Sequence, residues 1–323
     1  MSRILYSFSV IAFGLLLGYG VRLASERGLV RLRWSMPVLR TFLQRLALLG
    51  LGPFTFIGAL WVVEIREPRL ALLAGIGAFC HIFGGLAGAL LARLFRLERP
   101  QAGAMFCCGF FTNIGAIGGL VTFVFLGEAG YAYVPLFKLF EDMVYYGVGF
   151  PVARLYSDTK TTGGVSLAAR LTRDPFLLVS IFSLTTGTTL NLLNVPRPEV
   201  FSQLNALLIP LTTVILLASI GMAMRFGKTS AYLKEGVAIL GVKFLLVPAV
   251  CTSLAALLGL GGIAGGLPLK VVLVLSSMPV AFNALVPPSL YALDLDMANS
   301  CWLISVLGMA GLLPFLHVLL TLL

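Results

Sequence analysis

Charge is what this sequence has least of. Only 11% of its 323 residues are Asp, Glu, Lys or Arg, acids number 13, and there are two histidines. With 59% apolar residues and a mean hydropathy of +1.00, a soluble fold could not hide its apolar surface, so the composition is that of an all-α polytopic membrane protein. Cysteine is scarce too: the five thiols form no CxxC and no pairing pattern, and most lie in apolar runs. They read as small packing residues, and neither a disulfide nor a metal site is expected. There is no P-loop, no HExxH, no GxSxG and no dense cluster of acids and histidine. An ATP-driven pump and an enzyme are therefore disfavoured, and no cofactor is expected. A small-residue cleavage site is missing after the apolar stretch of Met1–Leu23, which is too long for a signal-peptide core and reads as a first spanning helix.

Apolar runs, by contrast, are abundant. Spans of about 20 residues fit near 4–23, 42–63, 70–92, 102–126, 129–153, 175–194, 200–223, 235–258, 269–291 and 298–321, giving ten segments. The net charge of +10 would suggest nucleic acid in a soluble protein, but here the basic residues sit in short loops and read as a topology signal. Loops after odd-numbered segments carry fifteen of them: Arg22, Arg27, Arg31, Arg33, Arg40, Arg93, Arg96, Arg99, Arg154, Lys160, Arg170, Arg173, Arg225, Lys228 and Lys234. The other side carries Arg3, Arg66, Arg69, Arg197 and, at a segment edge, Lys270. The positive-inside rule then puts the odd loops in the cytoplasm and both termini outside a multi-pass protein of the cell (inner) membrane.

The polar stretch at residues 157–174 divides the chain into two sets of five segments, 1–156 and 175–323. Five is odd, so the second set enters the membrane from the opposite side, as in a 5+5 inverted repeat. Segment four and segment nine should then correspond, and both read as interrupted. Segment four contains Cys107-Cys108-Gly109-Phe110-Phe111-Thr112-Asn113-Ile114-Gly115-Ala116-Ile117-Gly118-Gly119, whose four glycines weaken a helix by about 1 kcal/mol each. Segment nine contains Ser276-Ser277-Met278-Pro279-Val280-Ala281-Phe282-Asn283, with Pro287 and Pro288 beyond it, and proline removes a donor from the helix ladder. Interrupted segments in matching places of two halves point to a transporter site. The alternative is ordinary proline kinks and glycine packing faces, common in membrane helices.

These residues resemble the auxin efflux carrier family of plants and bacteria. The likeness rests on Asn113-Ile114-Gly115-Ala116-Ile117-Gly118 with Leu126-Gly127-Glu128-Ala129-Gly130. It continues in Met278-Pro279-Val280-Ala281-Phe282-Asn283-Ala284-Leu285 with Tyr291, Leu293 and Asp294, and is weaker at Val242–Pro248 and Leu211–Gly221. It implies a ten-helix transporter of organic acids, in the broader group that includes bile acid, arsenite and riboflavin-like transporters. Crossed, broken helices four and nine would hold the substrate carboxylate, and segments 1, 2, 6 and 7 would form a scaffold for an elevator-like movement of the rest. A homodimer through those scaffold segments is left open. Two positions depart from the family pattern: Leu120 stands where a proline is usual, so the first break would depend on glycine alone, and Pro288 and Ser289 stand where a small residue and an acid are usual.

The expected substrate site comprises Asn113, Asn283, Thr112, Gly115, Ser277 and Pro279. A half-helix ending inside the membrane presents unpaired N–H groups and a dipole end that favour an anion, and the asparagine amides add donors. Thr112, Ser276 and Ser277 can instead bond back to their own helices. Ionisable residues at membrane depth are coupling candidates for H+ or Na+: Lys138, Glu141, Asp142, His81 and Lys243. Lys138 precedes the two acids by three and four residues, so one acid can neutralise it and free the other, with no means of choosing between them. His81 can titrate or merely pack, and Lys243 can snorkel to the cytoplasmic surface or turn inward and attract anions. Arg45 reads as an interface anchor. A cation/proton antiporter using Glu141 or Asp142, and a membrane sensor that binds without transporting, remain as alternatives. Against the first, neither broken stretch contains an acid.

Overall fold

The computed structural model describes residues 2–30, 33–63, 67–157, 175–224 and 229–323. Most of the 157–174 linker, and the charges Arg31, Arg66, Lys160, Arg170, Arg173, Arg225 and Lys228, lie outside the described residues. The described chain is helical. In order it forms α1 Ser2–Glu26, α2 Met36–Leu60, α3 Pro68–Leu94, α4 Arg99–Phe110 and α5 Ile114–Tyr131. Then come α6 Val134–Lys138, α7 at residues 141–155, α8 Pro175–Leu192, α9 Val200–Gly221 and α10 Thr229–Leu257. The chain finishes with α11 Leu267–Ser276, α12 at residues 282–290 and α13 Leu295–Leu322.

Seven of these helices (α1, α2, α3, α5, α9, α10 and α13) are long and apolar enough to cross a bilayer, as expected of a polytopic membrane protein. Ten segments were expected, and the difference lies in three runs. Residues 129–153 are not one helix but short pieces with a turn at Leu139–Phe140. Residues 269–291 are broken between α11 and α12, and α8, whose 18 residues follow the linker, is the third run.

Four helices widen by one π-helical turn: Leu46–Leu51, Ile114–Gly118, Tyr145–Gly149 and Val242–Leu246. Three of the four are followed by a proline, at Pro53, Pro151 and Pro248. Proline has no N–H, so the carbonyl four residues earlier loses its partner, and a wider turn accommodates the gap. Ile114–Gly118 widens without one, since Leu120 stands at the equivalent spot.

The chain divides into two compact units, each drawing on both sides of the linker. The first comprises Met1–Glu67, Gly115–Pro135 and Pro175–Arg225. Within it α9 packs on α1, α2 and α5, and α8 packs on α2. The α1–α9 approach is backbone-close: a Cβ on Gly18 would lie 1.9 Å from Ala218 O. The second comprises Pro68–Ile114, Leu136–Asp174 and Phe226–Leu323. Here α3 packs tightly on α4, and a Cβ on Gly109 would lie 2.2 Å from Gly84 O. The helix α4 starts with a capping box in which the Glu98 side chain takes an N3 amide and Gln101 Oε1 takes the Glu98 N–H. Asp294 caps α13 by accepting from Met297 N at 2.9 Å, and its other oxygen accepts from Tyr232 Oη at 2.7 Å.

Candidate functional site

Both suspected breaks are present in the second unit, and they pair with each other. After Phe110 the chain turns extended (Phe111 φ −81°, ψ 119°), and after Ser277 it does so again before the 3₁₀ turn at Phe282. The two extended pieces form an antiparallel bridge at Thr112 and Val280. Asn113 N donates to Pro279 O at 2.9 Å, and Ala281 N donates to Phe111 O at 3.0 Å. A buried, non-helical backbone must satisfy its polar groups within the protein, and each break does so largely through the other.

This locates the first break more narrowly than the glycines did and corrects its cause. The non-helical residues are Phe111, Thr112 and Asn113, whereas Gly115 and Gly118 lie in the π turn and Gly119 opens the α-helical part of α5. Gly109 serves helix packing, not interruption. The one glycine here with a backbone that other residues rarely adopt is Gly127, at φ 72° and ψ −170°, which kinks α5 just before Glu128.

The orphan carbonyls at the end of α4 are met by side chains from two other helices. Lys243, 0% exposed, points inward from the π turn of α10. Its Nζ donates to Gly109 O at 2.6 Å and to Thr112 Oγ1 at 2.6 Å. His81 from α3 bonds through Nδ1 to Phe110 O at 3.0 Å. A carbonyl only accepts, so Nδ1 carries the proton; Nε2 is buried with no partner, and the ring meets the edge of Tyr145 at 5.0 Å. Of the two fates open to Lys243, the inward one is realised, and of those open to His81, the geometry is that of a packed, bonded ring.

The expected substrate residues divide. Asn113 is buried at 7% exposure and Asn283 is exposed. Pro279 is buried and offers its carbonyl to Asn113, while Gly115 is half-buried and begins the second stretch of the other unit, Gly115–Pro135. Ser277 takes the back-bonding alternative, whereas Thr112 has a partner that neither reading raised. Thr112 Oγ1 accepts from Lys243, and Ser277 spends its hydroxyl proton on Leu273 O at 2.7 Å, as Ser276 does on Val272 O at 2.6 Å. The backbone N–H of Asn113, expected to face an anion, is committed to Pro279. Ser277 also borders an apolar groove of about 450 Å³ lined by Phe244, Pro248, Thr252, Leu273 and Phe315, and neither asparagine lines it.

In α6 and α7, Lys138 forms an ion pair with Glu141, with Nζ 3.1 Å from Oε2. Glu141 Oε1 also accepts from Tyr145 Oη at 2.8 Å, and Tyr145 Oη lies 3.4 Å from Thr112 O. Asp142 is half-buried.

Several residues that the sequence did not single out hold these elements. Ser305 Oγ of α13 accepts from Val280 N at 3.1 Å. In the first unit Glu128 is a hub: Arg197 meets it through Nη1 (2.5 Å) and Nη2 (3.1 Å), and Asn205 donates to it at 2.6 Å. Arg197 also donates to Gly58 O at 2.8 Å, which ties α2, α5 and α9 together. The Leu126–Gly130 motif carried the only hint of this, through Glu128; Arg197 had looked like a loop charge. The five thiols are buried and free. No protein-family model and no curated protein matches the chain.

Proposed function

We propose that the chain is a secondary transporter of a small organic anion, a mono- or dicarboxylate, which binds at the paired breaks of segments four and nine. The observation that carries this reading is the antiparallel pairing of Thr112 with Val280, with an asparagine beside each break. A spanning helix does not give up its internal hydrogen bonds within a membrane without a use for the gap. Asn113, Asn283 and the first-turn amides that follow each break supply neutral donors for a carboxylate. The ten-segment inverted repeat, the cytoplasmic odd loops and the kinship with auxin efflux carriers belong to this proposal. Support for an elevator-like cycle comes from the composition of the two units: the first gathers segments one, two, six and seven, the expected scaffold, plus the second half of segment four and the start of segment five.

The cation antiporter alternative gains nothing from the site. Neither break carries an acid, and the buried acid Glu141 is already held by Lys138 and Tyr145. The test is a thermal-stability screen of the purified chain against mono- and dicarboxylates, with uptake into proteoliposomes for any acid that stabilises it. Asn113→Ala and Asn283→Ala should each abolish substrate-dependent uptake while the protein still inserts and folds. Near-normal uptake in both variants would remove the site assignment.

A further inference from the structure

The buried charge of Lys243 is the feature that the transport reading leaves unused. Two oxygens, a main-chain carbonyl and a threonine hydroxyl, receive its ammonium, and among the described residues no carboxylate forms an ion pair with it. Moving an ammonium out of water is expensive unless something compensates for the lost hydration. The compensation available is the end of α4. Its final carbonyls carry the negative end of the helix dipole, equivalent to about half an elementary charge, and Gly109 O is among them. A cation at this spot is thus matched to a half-helix, not to an acid.

The ligand set matters as much as the charge. Carbonyl and hydroxyl oxygens at the negative end of a helix are the donors that a hard monovalent cation uses, as in transporters whose broken helices coordinate one. Here the ammonium takes those donors. One of its partners, Thr112, is the residue whose backbone pairs with Val280, so the charge is anchored on the crossing itself. The wide turn of α10 that bears Lys243 is followed by Pro248, which removes a ladder donor and accounts locally for the widening.

We propose that Lys243 Nζ is a tethered cation, filling an oxygen-lined position at the end of the first half-helix so that the crossing assembles without free Na+ or K+. The inference rests on the transport reading only for its use in a cycle. The site itself is tested with no organic acid present, so that a failure here is separate from a failure of carboxylate binding.

The experiment follows the melting temperature of the full-length protein in detergent while choline chloride is replaced, at constant ionic strength, by NaCl, KCl or methylammonium chloride. The wild type should melt at the same temperature in all four. Lys243→Ser, which frees the oxygens and leaves room beside them, should melt several degrees lower in choline and recover saturably with Na+, K+ or methylammonium. Lys243→Gln, which supplies N–H donors without charge, should stay low in choline. A saturable gain by the wild type with Na+ or K+, a serine variant indifferent to every cation, or a glutamine variant as stable as the wild type in choline would each overturn the proposal. If the serine variant cannot be isolated, the wild-type and glutamine results decide it.

Discussion

The two breaks are bonded to each other, yet they are held open by different means. The first contains no proline. Its extended residues follow a helix end whose carbonyls are taken by Lys243 and His81, reaching in from α10 and α3. The second contains Pro279, its serines bond back to α11, and among the described residues Val280 N donates to Ser305 Oγ of α13. The second break is therefore written largely into its own residues. The first depends on one side chain more than a hundred positions away, Lys243, as well as on His81, and a helix-forming sequence is kept from closing there by what surrounds it. Tertiary bonds can take the place of a missing proline because each buried carbonyl left unpaired costs about 1–3 kcal/mol.

This difference can be attacked directly. The largest expected effect is from Lys243→Met, which keeps the bulk of the side chain and strips Gly109 O and Thr112 Oγ1 of their shared donor. Two buried acceptors lost at about 1–3 kcal/mol each should lower the melting temperature strongly. Next comes Ser305→Ala, which orphans the Val280 N–H and should cost about 1–3 kcal/mol in a denaturation assay, the main handle on the second break. His81→Phe retains an aromatic ring beside Tyr145 but loses the bond to Phe110 O, and a cost of about 1 kcal/mol is expected. The smallest stability effect belongs to Asn283→Ala: the side chain is exposed, so melting without ligand should change by no more than about 0.5 kcal/mol, whereas stabilisation by a carboxylate should disappear. If Ser305→Ala exceeded Lys243→Met, the second break would be the one that depends on its surroundings, and the comparison would reverse.

A second contrast sharpens the first. Glu128 is a half-buried charge held by a bidentate arginine and an asparagine, whereas the fully buried Lys243 donates to a carbonyl at a helix end and to a hydroxyl. Breaking the Glu128 hub with Glu128→Gln should destabilise the protein without creating any response to added cations, unlike Lys243→Ser. Melting curves in the same set of salts separate the two.

Much of this was legible in the residues. Apolar runs of spanning length, the interruption near Phe111–Gly119 and its partner at Ser276–Asn283 follow from composition and helix propensity, which act over a few neighbouring positions. What was misread followed from the same locality. Glycines looked like the cause of the first break because their helix cost is intrinsic, yet Gly109 is there to let α4 approach Gly84. Regular spacing suggested one continuous helix beneath Lys138 and the two acids, but a turn at Leu139–Phe140 interrupts it, and Lys138 Nζ lies 3.1 Å from Glu141 Oε2.

The sequence by itself determined that this chain belongs in a membrane and which two segments cannot be plain helices, because hydropathy and the missing N–H of proline need no partner to act. Only the tertiary structure decided that the two breaks bond to each other, that Lys243 turns inward to the end of α4, and that Lys138 pairs with Glu141. Those outcomes depend on which buried donors and acceptors meet, and a side chain such as Lys243 can satisfy its charge at the surface or at a helix end with equal local ease.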